Sequence, residues 1–143
     1  MSSLHDRPLA EVPPATLYGI LRLRSQVFVV EQDCVFLDLD GRDLEPGCRQ
    51  LWIEDDDGTV VATARVIDEG AVRHIGRIVT DEAARGRGLG AQLVEHALAT
   101  SEPPWVMQAQ ARLAEWYATF GFAIDGLEYL DDGILHVPMR RDR

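Results

Sequence analysis

Three glycines and two arginines lie within six residues, Arg85–Gly90, in the stretch "ARGRGLGAQLVEHAL". Glycine leaves backbone N–H groups open to a ligand, and the apolar spacing that follows predicts a helix whose first N–H groups have no partner within the helix. Unpaired donors and the helix dipole favour an anion at such an end, and arginine adds charge-assisted hydrogen bonds to it. The stretch therefore predicts a loop that binds an anionic group.

Two other glycine-rich loops do not fit this stretch. A P-loop places Gly-Lys-Ser/Thr at the phosphate, and the chain contains no lysine. A dinucleotide-binding fingerprint has G-x-G-x-x-G and an acidic residue about 20 positions later. Here the spacing is Gly86-x-Gly88-x-Gly90, and position 110 is Gln. The stretch is therefore not a P-loop, and it fits a dinucleotide-binding loop poorly.

The charge of the chain is negative overall and unevenly distributed. The formal net charge is −10; residues 31–69 carry twelve acids and three arginines, whereas residues 71–91 carry four arginines and two acids. So acidic a chain argues against a nucleic-acid-binding surface. A positive island beside an acidic region instead predicts a small anionic ligand that meets a cationic one.

The length and composition favour one globular domain over residues 1–143, since 46% of the residues are apolar. No apolar run approaches the roughly 18–20 residues of a membrane span, and the N-terminus lacks the layout of a signal peptide. Cys34 and Cys48 form no CxxC, and the glycine of "DLDG" comes too early for a calcium loop. We therefore expect a reduced cytoplasmic protein with no metal and no membrane contact.

The elements around the glycine loop are predicted from periodicity and turn signals. A strand over Leu4–Val12 precedes a helix that opens at Pro13-Pro14, and residues 31–48 are loop-like. A hairpin over 50–68 and a strand over 71–80 lead into the glycine loop and its helix. A strand at 105–110, a helix ending at Gly121 and two closing strands follow. The order β-α-β-β-β-α-β-α-β-β predicts an α/β fold of the α+β type with a mostly antiparallel sheet.

The sequence resembles the GCN5-related N-acetyltransferase (GNAT) superfamily. Arg85–Gly90 fits its R-x-x-G-x-G loop between a strand and a helix, and "LAEWYATFGF" resembles its segment with Tyr before Gly-Phe. Four further pieces, "LRLRSQVFVVEQDC", "DLDG", "AQARL" and "DDGILHVPM", resemble the ElaA-like branch, and "VFVVEQ" is shared with acyl-homoserine-lactone synthases. The resemblance runs from about residue 15 to the end. It implies a mixed, mostly antiparallel sheet of six to seven strands flanked by helices.

The resemblance implies that the anion is the pyrophosphate of acetyl-CoA, held by the backbone of residues 86–91 with help from Arg85 and Arg87. The end of the preceding strand would pair with the pantetheine arm as an added strand. Gln110 stands where the superfamily often carries Asn and where ElaA-like sequences carry Gln. The implied contacts are Ile78, Val79, Thr80, Arg85, Gly86, Arg87, Gly88, Leu89, Gly90, Ala91 and Gln110.

Acyl transfer from a thioester to an amine requires an acid, a base and an oxyanion donor. The resemblance assigns the acid to Tyr117, whose phenol would protonate the coenzyme sulfur, and a backbone N–H near Ile78 or Val79 would be the oxyanion donor. His74 is a candidate base, since strand alternation puts it on the face of Ile78 and Thr80. Glu31, at the end of the first helix, is an equal candidate. His136 is a weaker one, and a water chain is an alternative to all three.

The resulting hypothesis is direct transfer of an acetyl group to a primary amine in a ternary complex. The acceptor is a small-molecule amine or an amine of a peptide or protein, favoured by the carboxylates of residues 31–48. Two alternatives stay open: an acyl-CoA-binding regulatory module without catalysis, and an acyltransferase related to acyl-homoserine-lactone synthases. Association into a homodimer through the last strands is compatible with the sequence.

Overall fold

The computed structural model describes residues 2–143, in which strands and helices alternate along the chain. The α-helices of this part are α1 (Pro14–Arg24), α2 (Leu89–Ala99) and α3 (Ala114–Ala118). Its strands are β1 (Ser3–Pro8), β2 (Cys48–Glu54), β3 (Val60–Asp68), β4 (Arg73–Thr80), β5 (Trp105–Gln110), β6 (Ala123–Ile124), β7 (Tyr129–Asp131) and β8 (Ile134–Arg141). Short 3₁₀ helices lie at Leu9–Glu11, Arg42–Leu44, Glu82–Ala84 and Ala111–Leu113, and Ser25–Glu31 continues α1 as a π-helix.

The strands form one mixed sheet in the order β1-β2-β3-β4-β5-β8-β6, and β7 also pairs with β8. Every pair is antiparallel except β4 with β5. The predicted fold class is therefore confirmed. The described chain has eight strands rather than six or seven because β6 and β7, two and three residues long, both pair with β8. The first strand ends at Pro8, short of the predicted Val12.

The two faces of the sheet carry separate cores. On one face, Ile20 and Leu23 of α1 and Val27 of the π-helix are buried against Trp52 of β2 and Val79 of β4. On the other face, α2 and α3 pack on apolar side chains of the strands; this cluster includes Leu51, Ile53, Val66, Ile75, Leu93, Val94, Met107, Ala109, Tyr117, Val137 and Met139. Among the described residues, no helix combines the length and apolar character that crossing a membrane requires.

The parallel strands β4 and β5 separate soon after they begin. They pair at Arg73 with Trp105 and at His74 with Val106, and within residues 2–143 no further pair joins them. Beyond His74, β4 keeps β3 on one side, and β5 keeps β8. The inner edges of both strands are therefore left without a strand partner, and a gap opens in the middle of the sheet.

A bulge in β4 reverses which side chains face which core. Arg65 of β3 pairs with Gly76, and Thr63 pairs with Val79. Between these pairs, the one remaining residue of β3 lies opposite two residues of β4, Arg77 and Ile78. Arg77 lies in this bulge with a φ of +51°. An extra residue in one strand shifts the alternation of side chains to the opposite face. Ile75 accordingly belongs to the α2 core and Val79 to the α1 core, although their numbers differ by four.

The loop between α1 and β2 is fixed to the sheet by buried charges. Arg24, 1% exposed, contacts Asp38 at 2.9 Å and Asp43 at 2.7 Å. Arg65 reaches Asp40 at 2.7 Å and Asp43 at 3.3 Å. Because each buried charge faces an opposite one, the loop is held close to the α1 face of the sheet. The members of this arginine–aspartate network are Arg24, Arg65, Arg77, Asp38, Asp40 and Asp43.

Candidate active site

A cleft of about 880 Å³ occupies the gap between β4 and β5. Its lining comes from both faces of the sheet: the glycine loop and α3 on the α2 side, and the end of the π-helix with the β7–β8 turn on the α1 side. The π-helix matters here because widening the last turns of a helix changes which side chains point at a site. It contributes Val27, Phe28 and Glu31 to the cleft.

The glycine loop forms one end of the cleft. Gly86 and Gly88 have φ values of +83° and +75°, a region that side chains with a Cβ rarely adopt. A Cβ placed on either would meet no atom within 4 Å, so the space beside the loop is open. Gly88 precedes α2 without a side-chain cap, which leaves the N–H groups of its first turn available. The loop and helix therefore have the geometry of an anion-binding site.

Gly90, in the first turn of α2, faces the ring of Trp116. A Cβ at Gly90 would lie 3.4 Å from Cη2 of Trp116 and 3.9 Å from Oγ1 of Thr80. Leu89 and Ala91 also line the cleft, and Leu89 is buried. These are ordinary van der Waals distances, so α2, α3 and β4 meet closely at Gly90 but still leave room for a methyl group.

The two arginines of the loop take different directions. Arg85 lines the cleft, where its Nη2 lies 2.8 Å from Oε1 of Glu31 and its Nε donates to the carbonyl of Thr80 at 3.2 Å. Arg87 lies outside the lining and pairs with Asp55 of the β2–β3 turn at 2.9 Å. The structure thus brings one arginine side chain, not two, to the predicted anion site, because the hairpin carboxylate takes the other.

The inner edge of β4 forms a wall of the cleft. Ile78, Val79 and Thr80 all line it, and their backbone groups on this side have no strand partner within the described chain. An extended ligand can pair with such an edge as an added strand. Met107, Gln108, Ala109 and Gln110 of β5 line the facing wall.

Tyr117 on α3 lines the cleft and is 6% exposed. Burial raises the pKa of Tyr117 to about 12, with the charge of Arg112 opposing this effect. Within residues 2–143, no group hydrogen-bonds the phenol oxygen, although the ring contacts Trp116 edge to face at 4.9 Å. The phenol is therefore neutral near pH 7 and has a proton to donate.

The two predicted bases have contrasting positions. Glu31 lines the cleft, but its hydrogen bond with Arg85 lowers the pKa of this carboxyl. A lowered pKa makes a carboxylate a weaker proton acceptor. His74 lies outside the cleft lining, 3.6 Å from Glu69, and burial lowers its pKa.

The alternation that placed His74 on the face of Ile78 and Thr80 is wrong. His74 pairs with Ile67 and stands before the bulge, whereas Thr80 pairs with Ala62 after it. The extra residue puts the two on opposite faces. No sequence signal predicted the bulge, since Gly76 and Arg77 sit inside an otherwise regular strand pattern.

The α1 side of the cleft contains residues that were not among those predicted for the site. Cys34 lines it and donates to the backbone carbonyl of Asp132 at 3.1 Å, and Asp131 and Asp132 of the β7–β8 turn also line it. Burial raises the pKa of Cys34, with Asp132 adding to this effect. The sequence predicts the turn from "DDG", but only the pairing of β8 with β5 brings that turn to the cleft.

On the α1 side of the cleft, a hydrogen bond connects Gln110 of β5 to the end of the π-helix. Its Nε2 donates to Oε1 of Gln32, just after the π-helix, at 3.2 Å. Phe28 and Phe36 add apolar surface nearby, and the guanidinium of Arg77 lies 5.7 Å from the ring centre of Phe36. The cleft thus has a loop for an anion at one end and a mixed polar and aromatic chamber at the other. Among the described residues, no group of three potential ligands could hold a metal ion.

One family and several known proteins match most of the chain. A family model for an acetyltransferase (GNAT) domain matches residues 41–143. Protein ElaA of Escherichia coli (strain K12) is 38% identical over 152 residues, which cover 99% of this chain and 97% of ElaA. A UPF0039 protein of Mycobacterium tuberculosis is 48% identical over 130 residues, covering 87% of this chain and 83% of that protein. The crystal structure of an acyl-CoA N-acyltransferase from Pseudomonas aeruginosa matches with a TM-score of 0.93, 37% identity and 99% of both chains covered.

Proposed function

The chain belongs to the GNAT acetyltransferase family, and from this premise we propose that it moves an acetyl group from acetyl-CoA to a primary amine. The observation that carries the proposal is the cleft between β4 and β5, which has an anion-binding loop at one end and Tyr117 in its wall. A protein with two buried free thiols suits a reducing compartment. A cytoplasmic location is therefore part of the proposal.

The donor half of the cleft fits the shape and charge of acetyl-CoA. Backbone N–H groups of residues 86–91 and the guanidinium of Arg85 would hold the pyrophosphate. The free edge of β4 at Ile78–Thr80 would hydrogen-bond the pantetheine amides, as a strand does. Gln110, on the facing wall, would contact the same arm. We assign Arg87 a backbone contribution only, because its side chain pairs with Asp55.

Bound in this cleft, acetyl-CoA supplies an activated thioester, and the protein's own groups manage its charges. A backbone N–H of Ile78 or Val79 would donate to the developing oxyanion. Tyr117 would give its proton to the sulfur as the carbon–sulfur bond breaks, a role that suits a phenol kept neutral by burial. Glu31 is a poor candidate for the base as long as it is paired with Arg85, because that contact stabilises its charged form.

The acceptor enters from the α1 side of the sheet. The turn carboxylates Asp131 and Asp132 lie there with the aromatic rings of Phe28 and Phe36. Negative charge beside aromatic surface favours an amine that arrives as its ammonium ion. Both a small amine and the amine of a peptide or protein meet this description.

Calorimetric titration with acetyl-CoA tests the donor site, with NADH and ATP as controls. Of these three compounds, only acetyl-CoA should bind. Arg85→Ala should weaken that binding about tenfold, the value of one charge-assisted contact, and Gly88→Glu should abolish it. The matched variant Arg87→Ala should lose less than Arg85→Ala, since that side chain points away.

A folded protein that does not bind acetyl-CoA would overturn the proposal, and the loop would require another anion. Binding without acetyl transfer to any amine in a broad panel would favour the regulatory module instead. Transfer of long acyl chains in preference to acetyl would favour the relation to acyl-homoserine-lactone synthases. Each alternative thus has an outcome of its own.

A further inference from the structure

His136 of β8 lines the cleft on the side from which the acceptor would enter. It pairs with Gln110 of β5. Along β8, Val137 and Met139 occupy positions whose side chains point to the opposite face of the sheet from that of His136. Val137 and Met139 are buried in the core beneath α2 and α3. Because side chains alternate along a strand, His136 projects to the opposite, α1 face.

The hydrogen bonds of His136 fix which ring nitrogen carries the proton. Its Nδ1 lies 2.8 Å from the backbone carbonyl of Ile134. A carbonyl oxygen only accepts, so Nδ1 must be the donor, and in the neutral ring Nε2 then has a free lone pair. Within the described chain, no residue hydrogen-bonds Nε2.

The ring of His136 is also held in place from its side. It stacks on Tyr129 with ring centres 5.8 Å apart and planes 25° apart. The Tyr129 hydroxyl in turn donates to Oε1 of Gln108 at 2.5 Å. A base held in one orientation by a hydrogen bond and a stacked ring is preorganised to accept a proton. Tyr129 and Gln108 are positioning residues in this arrangement.

His136 and Tyr117 lie on opposite faces of the gap in the sheet. Tyr117 belongs to the core beneath α2 and α3, and His136 faces the α1 side. Direct transfer requires the amine to approach the thioester carbon from one side while the sulfur leaves on another. A base on the acceptor side and an acid on the donor side match these two requirements.

From this geometry we infer that His136 is the general base of the reaction, an inference that rests on the proposed function. Nε2 takes one proton from the acceptor ammonium and passes it to solvent. The amine lone pair then forms the nitrogen–carbon bond while the carbon–sulfur bond breaks and its electron pair stays on sulfur. Tyr117 protonates the sulfur and regains a proton from the acylated nitrogen. One proton is released per acetyl group transferred.

The test uses the full chain, acetyl-CoA and the best acceptor from a panel of alkyl amines, amino acids and short peptides. His136→Ala should lower kcat about 10²–10³-fold, the range for a lost general base, while calorimetry shows unchanged affinity for acetyl-CoA. Added imidazole should restore part of the rate to His136→Ala but none to Tyr117→Phe. The matched control His96→Ala, whose imidazole contacts Asp6 outside the cleft lining, should keep full kcat.

A His136→Ala protein that binds acetyl-CoA and retains full kcat would overturn the inference and leave the proposed function intact. A loss of kcat that imidazole does not restore would also overturn it and assign His136 a packing role. If the unaltered protein transfers acetyl to no amine, the proposed function fails, and the inference fails with it.

Discussion

At the residue scale, the burial of Tyr117 suits its proposed role as the general acid. Its hydroxyl has no protein partner among the described residues, and burial raises its pKa to about 12. Tyr117→Phe removes one oxygen from the cleft and keeps the ring that packs on Trp116. We expect kcat to fall about 10²–10⁴-fold because general acid catalysis is lost.

Steady-state kinetics at saturating acetyl-CoA would measure this loss, and calorimetry would show whether the donor still binds. Unchanged affinity is expected, since the ring remains. If Tyr117→Phe keeps the kcat of the unaltered protein, the acid is another group or water.

The sequence predicts the chemistry of individual residues better than their directions. Arg85 and Arg87 are equivalent in the motif, but Asp55 draws Arg87 away from the cleft. No local pattern links position 87 to a hairpin more than 30 residues earlier in the chain. His136 is the weakest of the predicted bases, and the sequence carries no signal of which of its ring nitrogens is free. The bond to Ile134 supplies that information.

At the scale of elements, the arginine–aspartate network fixes the loop that closes the acceptor side. Arg24 is 1% exposed and contacts both Asp38 and Asp43. Arg24→Met would remove the arginine that Asp38 and Asp43 share and leave each buried carboxylate with one cation, Arg77 for Asp38 and Arg65 for Asp43. We expect a loss of about 3 kcal/mol in the free energy of unfolding, the lower end of the range for breaking a buried ion pair.

Chemical denaturation of Arg24→Met and of a matched surface variant measures this effect. Arg42 also pairs with two carboxylates, Glu45 and Glu69, but it is far more exposed to solvent. Arg42→Ala should therefore cost less than about 1 kcal/mol. Equal losses of unfolding free energy in the two variants would show that burial of the arginine–aspartate network contributes nothing to stability.

The elements themselves follow from the sequence where periodicity is regular. Helix α1 begins at the predicted prolines, and its residues Ile20 and Leu23 are buried against the sheet. The elements that the sequence does not predict are those in which an extra residue enters a strand or a helical turn. The bulge at Arg77 adds one to β4, and the π-helix at Ser25–Glu31 widens the turns after α1. Such insertions depend on contacts across the sheet, so a pattern with a fixed period does not predict them.

At the scale of the whole molecule, the paired aspartates predict how stability depends on pH. The hydrogen bond with Arg65 lowers the pKa of Asp40. Burial raises the pKa of Asp43, but its bond with Arg24 and the nearby positive charges outweigh burial and lower it. A carboxyl whose pKa is lower in the folded state than in the unfolded state stabilises the folded protein at pH values above its ordinary pKa of 3.8. That stabilisation is lost as the pH falls through the folded pKa.

We therefore expect the free energy of unfolding to fall between about pH 5 and about pH 2. Asp43→Asn should be less stable than the unaltered protein near neutral pH and should show a shallower decline in acid. Urea denaturation at several pH values measures both slopes. Parallel slopes would mean that Asp43 has the same pKa in the folded and unfolded states.

The family and the mixed sheet were predictable because the glycine loop and the Tyr-bearing segment are local motifs in the expected order. The cleft was predictable only in part. Its donor side consists of residues close in sequence to the glycine loop, whereas its acceptor side combines the end of the π-helix with a turn about 100 residues later. These two segments meet because β8 lies beside β5 in the sheet. Local sequence patterns do not predict this strand order.

The contact between Glu31 and Arg85 has a consequence for the order of events. A pyrophosphate bound beside Arg85 would compete with Glu31 for the guanidinium, so arrival of the donor would weaken the contact that holds this carboxylate. A freed carboxylate in the cleft attracts an ammonium ion more strongly than a paired one. The two substrates would then bind cooperatively, and by thermodynamic reciprocity each would tighten the binding of the other. The enzyme would thus gather its cationic acceptor mainly when an acetyl group is ready to be transferred.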